Sequence, residues 1–413
     1  MKEMKGVAPV AIAAVIIVAV VVAVAAYVYL KPEEEPPEKV TLTVWCSLEE
    51  EEVDFEEDLV SSLFNEEYPN IEVNIEAVPE MKDAVLISIP AGGGPDLFMF
   101  AHDLTGTLAE GGYIVPIDNF VTTELQEKFP EAAFKAGEYK GELYALPFAA
   151  ETVIFFYNKE LLGDRPVPET TDELVDIMAD LYNPDEGMYG MSYPINPYFM
   201  SGWVHAFGGY YWDDATGTAG VNSTGTKNAV DWILEKFQPY MSTDISWDVQ
   251  LALFSEGKAP FAINGPWMIK SWEDAGIDFG LATIPKISEL NKDPMPLTGV
   301  KVMWMNKNCE HREEAFAFME WFTTNEEHIV ERAKEFGYIP VLKSAMENPV
   351  VQASPKLSIV SEQVSLGVPM ASGPEMELCW DPIISAVDII WAGTQSVEAA
   401  LDEAQTTILE RIG

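Results

Sequence analysis

Cysteine is scarce in this chain of 413 residues: there are three, Cys46, Cys309 and Cys379, far apart. An odd count with no CxxC pair and no zinc-ligand spacing excludes a disulfide framework, and at most one bridge can form. Basic residues are few against acidic ones, 24 Lys and Arg facing 68 Asp and Glu, for a formal net charge of -44. A surface of that sign repels phosphate backbones and anionic membranes, which excludes nucleic acid as a partner. Internal repeats at a fixed period are missing as well. What is present is the composition of a folded protein, 48% hydrophobic and 11% aromatic, and the length calls for two domains.

Only one long apolar run occurs, Val7 to Leu30, uncharged and preceded by Lys2 and Lys5. It is long enough to span a bilayer, and a secretory signal is the competing reading. Either way the remainder is expected on the extracellular face of the cell membrane, anchored by or secreted through this segment. Residues 31–39 are rich in Pro and Glu and read as an extended stalk.

From Val40 the pattern turns regular. Val40 to Trp45 alternates as a strand, Glu49 to Phe64 carries a helical apolar stripe opened by acidic residues, and Ile71 to Val78 alternates again. Strand, helix, strand points to an α/β domain. Gly92, Gly93 and Gly94 then turn the chain into a buried strand, but no Lys-Ser/Thr follows them, so they are not a phosphate loop. His102 and Asp103 stand at that strand's C-terminal end, where open α/β sheets bind ligands. No nucleophile motif accompanies them, and a catalytic dyad is not expected. Lys140 to Phe148 reads as a hairpin and Thr152 to Tyr157 as a strand. Glu151 lies between them, and a carboxylate there is either hydrogen-bonded structurally or kept for a ligand hydroxyl. Helices are expected over 172–181, 227–237, 249–255, 313–322 and 326–335, and strands over 279–284 and 298–304. Gly373 to Trp380 is expected to precede a final helix pair, and Asn222-Ser-Thr224 is a glycosylation sequon.

Ala259 to Trp267 is the most telling stretch. It reads as a short strand, a turn at Asn264-Gly265 and a helix opened by Pro266, with Trp267 on the first turn beside N–H groups that lack an intrahelical acceptor. A flat apolar ring beside polar donors suits a sugar, with its apolar faces and hydroxyl edges; the alternative is a core tryptophan.

Several segments together resemble the maltose/maltodextrin-binding proteins of ABC importers, the archaeal members above all. They are Gly94-Pro-Asp-Leu-Phe-Met-Phe-Ala-His-Asp103, Leu146-Pro-Phe-Ala-Ala-Glu-Thr152 with Tyr157-Asn-Lys-Glu-Leu161, Pro194-Ile-Asn-Pro-Tyr-Phe199 with Phe207-Gly-Gly-Tyr-Tyr211, Phe254 to Pro260 running into Asn264-Gly-Pro-Trp267, Gly337-Tyr-Ile-Pro-Val341, and the region of Trp380. The resemblance implies an α/β fold of two hinged lobes of the periplasmic-binding-protein type, 40–149 plus 303–352 and 150–302 plus 353–413, with the ligand cleft between them. It implies a monomer that needs no cofactor, binds maltose or maltodextrin (or trehalose) and delivers it to ABC permease subunits. The stacking aromatics would be Phe100 (where bacterial relatives have Trp), Tyr198, Trp267 and Trp380. Asp103 and Glu151 would bind hydroxyls, with Asn196 where a bacterial relative has a carboxylate.

Bacterial relatives place basic residues at three further points, occupied here by Glu50, Leu104 and Ile384, so a cleft with fewer cationic donors is expected. Two other functions compete: a tethered carbohydrate sensor or adhesin, and an extracellular glycoside hydrolase using Asp103 and Glu151 as its carboxylate pair.

Overall fold

The computed structural model describes residues 39–48 and 50–413. The expected N-terminal apolar segment, 1–30, and nearly all of the stalk lie outside the described residues. Among the described residues no helix is long and apolar enough to cross a membrane.

Strand β1 (Val40–Cys46) leads into helix α1 (Glu50–Leu59), which continues as a π turn over Val60–Phe64. Pro69 follows the end of this helical stretch, and β2 (Ile71–Ala77) runs parallel to β1. Helix α2 (Met81–Ser88) precedes β3 (Leu97–Ala101), which pairs with the other edge of β1, again parallel. The expected α/β start is therefore present.

The expected hairpin over 140–148 is not. A two-residue ladder joins Glu138–Tyr139 to Glu142–Leu143, and β4 (Ala145–Glu151) leaves it for the central sheet. All seven residues of β4 are buried, because neighbours flank both edges and both faces are covered. A strand so placed needs no polar alternation. After β4 come β5 (Ile154–Asn158), helix α3 (Pro197–Ala206), β6 (Phe261–Asn264), helix α4 (Met268–Asp274), β7 (Phe279–Ala282) and β8 (Leu297–Met305). Helices α5 (Arg312–Thr324) and α6 (Glu326–Phe336) are separated by Asn325 alone, whose side chain caps α6. Short strands β9 (Ile339–Pro340) and β10 (Val368–Pro369) precede the final pair, α7 (Pro374–Trp391) and α8 (Val397–Ile412).

Two sheets result. The larger has the order β9-β4-β8-β3-β1-β2 with β10 on β8, and the smaller has the order β6-β5-β7. Strand β8 is antiparallel to both β3 and β4. One face of the large sheet buries Leu42, Val44, Met303 and Met305 with Phe318 and Phe322 of α5, and the other buries Phe98 and Trp304. Alternation along β5 sends Phe155 to the core shared with α3 and α7 and sends Ile154 and Phe156 to a core with Trp272.

Helix α7 begins at Pro374, earlier than expected. Proline is well placed at a first helical position, and the helix runs on through Pro382, so Trp380 is a helical residue. The three cysteines are buried free thiols. Burial pushes Cys46 up to about 11 and Cys309 and Cys379 up to about 12. Asn222 of the sequon is half-buried and donates from Nδ2 to Asp402 at 3.0 Å.

Candidate functional site

Beyond β3 the chain makes one 3-10 turn, His102–Leu104, and His102 anchors it. Its buried ring accepts from the Val300 N–H at Nδ1 (3.1 Å) and donates from Nε2 to the Met370 carbonyl (3.0 Å). Both ring nitrogens serve the backbone, and burial lowers its pKa, so a neutral imidazole is locked in place. His102 therefore positions the turn, and no dyad with Asp103 forms.

Asp103, so positioned, is buried, with Oδ2 accepting from the indole Nε1 of Trp380 at 3.2 Å. Its other oxygen, Oδ1, is buried with no hydrogen-bond partner. Burial raises its carboxyl to about 7, against the opposing pull of the Trp380 hydrogen bond and the Lys82 charge. Glu151, at the end of β4, is also buried, and its Oε2 lacks a hydrogen-bond partner although Lys301 Nζ lies 3.4 Å away. Tyr198, in the first turn of α3, has a buried hydroxyl in the same condition. Burial first, and then the fields of Glu151 and Asp103, hold that phenol protonated far above the ordinary range. Three elements thus bring two carboxylates and a phenol within electrostatic reach of one another, each with a buried polar atom that makes no hydrogen bond. Buried polar atoms are rarely left so, since each costs about 1–3 kcal/mol.

Trp267 caps α4. Its ring folds back over Gly265, where an added Cβ would stand 2.1 Å from ring carbons, so glycine is required there. The expected free N–H donors are absent: Met268 N donates to Gly265 O (3.2 Å) and Ile269 N to Pro266 O (2.9 Å). Tight i→i−3 bonds at this turn consume them. The half-buried indole still touches the cores of both sheets, including the cluster that holds Tyr198 and Trp380.

Phe100 and Asn196 are placed apart from this group. Phe100 is half-buried and lines a cavity of about 540 Å³ with Leu48, Glu50, Met81 and Lys82. Asn196 caps α3, its Oδ1 accepting from Phe199 N at 3.1 Å, and lines a different cavity with Trp247 and Ile384.

The three points where bacterial relatives carry basic residues are filled without cations here, and two lysines from other elements stand near the group. Glu50 and Ile384 line cavities and Leu104 is core, but Lys301 reaches Glu151 from β8, with its ammonium 5.1 Å from the Tyr338 ring centre. Lys82 of α2 pairs with Glu377 of α7, one turn before Trp380. The sequence carried one signal for Lys301, a lone charge in the otherwise uncharged strand Leu297–Met305. Nothing local marked Lys82.

Comparison with known proteins bears on the family and the fold. The profile of the bacterial extracellular solute-binding protein family matches residues 62–359. The maltotriose-binding protein of Pyrococcus abyssi is 38% identical over 379 residues, 90% of this chain and 82% of that protein. The galactooligosaccharide-binding protein of Bacillus subtilis is 28% identical over 77% of each chain. Among solved structures, the maltose/maltodextrin-binding domain from Bdellovibrio bacteriovorus bound to maltotriose superposes with a TM-score of 0.82 at 25% identity, covering 90% of this chain and 99% of that one. The two-lobe α/β architecture is the one these relatives share, and the chain belongs to the bacterial extracellular solute-binding protein family.

Proposed function

We propose that the chain is the substrate-binding component of an ABC importer for maltooligosaccharide-type α-glucans, working with permease subunits at the outer face of the membrane. The observation that carries this reading is the convergence of Asp103 Oδ1, Glu151 Oε2 and the Tyr198 hydroxyl, all buried and without hydrogen-bond partners. Such atoms are the groups a sugar hydroxyl would satisfy. Trp267, Trp380 and Tyr198 supply apolar ring faces in one packed cluster, and stacking of this kind is worth roughly 0.5–1.5 kcal/mol per ring beyond burial. Phe100 would extend the platform, and Lys301, 3.4 Å from Glu151, would stand beside the bound hydroxyls as a cationic donor. Asn196, whose Oδ1 is committed to its helix cap, contributes at the edge. In this reading 40–149 plus 303–352 and 150–302 plus 353–413 are the lobes that close on the ligand, and the N-terminal segment places the protein outside the cell. This reading makes it a binder, as its relatives are, and release of glucose from maltotriose would instead favour the hydrolase.

Intrinsic tryptophan fluorescence of the full chain, titrated with maltotriose, maltose, trehalose, glucose and a galactooligosaccharide, tests this. A saturable change is expected with maltotriose at about micromolar affinity or tighter. Saturation by the galactooligosaccharide alone would transfer the ligand to that class, and silence with all five would remove the reading.

The raised carboxyl of Asp103 adds a pH dependence. Hydroxyl donors favour the anion, so binding lowers the pKa from about 7 and releases a proton. Affinity is therefore expected to rise with pH up to about 7, to level off above it, and to lose that rise in Asp103→Asn. Stability runs the other way: with the folded pKa above the unfolded one, the contribution is full below about pH 4 and lost as pH rises through about 7. Calorimetry in two buffers of different ionisation heat reads the proton release directly. Equal slopes for the native chain and Asp103→Asn would separate Asp103 from the ligand.

A further inference from the structure

We propose that Tyr338 is a positioning residue of the glucan site: its ring face seats the Lys301 ammonium beside Glu151 and so leaves Glu151 Oε2 open to a ligand hydroxyl. This rests on the glucan-binding reading above.

Sheet register puts the three side chains together. Gly337, with φ 75°, ends α6 and turns the chain towards the large sheet. Ile339 then pairs with Ala150 and Pro340 with Ala149, so Tyr338, one position earlier, comes level with Glu151. On the other edge of β4, Gly299 pairs with Glu151 and Lys301 with Ala149. Directly paired residues share a sheet face, and faces alternate along a strand. Lys301, Glu151 and Tyr338 therefore stand on one face, with Glu151 on the middle strand.

An ammonium on a flexible stem, nearly excluded from water, would ordinarily close on a neighbouring carboxylate. Here it does not. Lys301 Nζ stops 3.4 Å from Glu151 Oε2, and that oxygen makes no hydrogen bond. The competing attraction is the Tyr338 ring, whose centre lies 5.1 Å from Nζ, within cation–π range. The ring is itself fixed. Tyr338 is 2% exposed, and the Arg332 guanidinium, held by Glu56, packs on it at 5.4 Å. Burial first, and then the fields of Glu52 and Glu151 against that of Arg332, hold the phenol protonated far above the ordinary range. The ring thus acts through its π face and not as a phenolate. With it in place, Glu151 keeps an acceptor and Lys301 keeps its donors. Without it, the ammonium closes on Oε2 and each group consumes the other.

Calorimetric titration of the full chain with maltotriose tests this, using Tyr338→Phe and its 3,5-difluoro and 3,4,5-trifluoro analogues, each with and without Lys301→Met. Fluorine drains negative charge from the ring face at nearly constant shape, so packing is kept while the cation's seat is removed. Tyr338→Phe is expected to bind within about threefold of the native chain, and affinity to fall stepwise by about tenfold across the fluorinated series. Lys301→Met alone should weaken binding about tenfold, and with it the series should be flat, because no cation is left to seat. A flat series in the chain that keeps Lys301 would make Tyr338 a packing residue and overturn the proposal. The same fall with and without Lys301 would overturn it too. A loss of about tenfold already in Tyr338→Phe would transfer the role to the hydroxyl, against the proposal. In each of these cases the native chain still binds maltotriose and the glucan reading stands. If the native chain does not bind it, that reading fails and takes the proposal with it.

Discussion

Glu56→Ala is expected to lower the free energy of unfolding by about 3–5 kcal/mol, the usual result of removing one partner from a buried ion pair. Glu56 is 1% exposed on α1 and holds two groups from α6: His328 Nε2 at 2.5 Å and Arg332 Nε at 3.1 Å. The Arg332 guanidinium is itself buried and packs on the rings of Phe148 (4.4 Å), Phe322 (5.1 Å) and Tyr338 (5.4 Å). Alanine would leave that cation in an aromatic core with its carboxylate gone. Burial pushes the Glu56 carboxyl up, but the charges of His328 and Arg332 and the hydrogen bond from His328 prevail, and its pKa is lowered. Its stabilisation is thus present above the unfolded value of about 4.3 and is lost as pH falls through the lower folded one. Urea melts of the native chain and the variant at neutral pH measure the cost. A difference under about 1 kcal/mol would mean the pair is no stronger than a surface ion pair.

Trp267→Ala carries the second large effect, on binding and not on folding. The indole is half-buried, touches the cores of both sheets and shares a cluster with Tyr198 and Trp380. Central aromatics of this kind cost about 2 kcal/mol or more when truncated, and affinity for maltotriose should fall about thirtyfold or further. Gly265→Ala tests the same ring by another route, since the added methyl meets the indole at 2.1 Å and must displace it. Both variants should retain the native circular dichroism spectrum. Unchanged affinity in both would remove Trp267 from the site, because the two act on one ring by different means.

Much of the architecture was written in local pattern. The alternation of Val40 to Trp45 and of Ile71 to Val78, with a helix between them, predicts a strand, helix, strand unit, and the two strands pair in parallel. Where pattern misleads, a neighbour in space is the cause. Lys140 to Phe148 reads as a hairpin because its turn residues are local, whereas Ala145–Glu151 pairs with β8, which begins almost 150 residues later. Pro382 is a helix breaker by rule, yet α7 runs through it, packed on α8 and against α3.

The candidate site divides in the same way. Side-chain type and position along an element are properties of the chain and mark Asp103, Glu151 and Trp267 as worth notice. Tyr198 and Trp380 became candidates only through the resemblance to the maltose/maltodextrin-binding proteins. Which of their atoms are committed could not be read from position along the chain. The Trp380 indole reaches Asp103 across 277 positions, and the insertion of β8 between β3 and β4 sets Lys301 against Glu151 and the Val300 N–H against His102. The N–H groups beside Trp267, free by sequence, are consumed by the turn that folds there. The sequence by itself determined most of the secondary elements, the family and the chemical kinds of group available, because element pattern depends on residues a few positions apart and the family on a series of such short segments in order. Only the tertiary structure decided which polar atoms are left unpartnered and where the cations stand, because those depend on sheet order, which brings together residues more than a hundred positions apart.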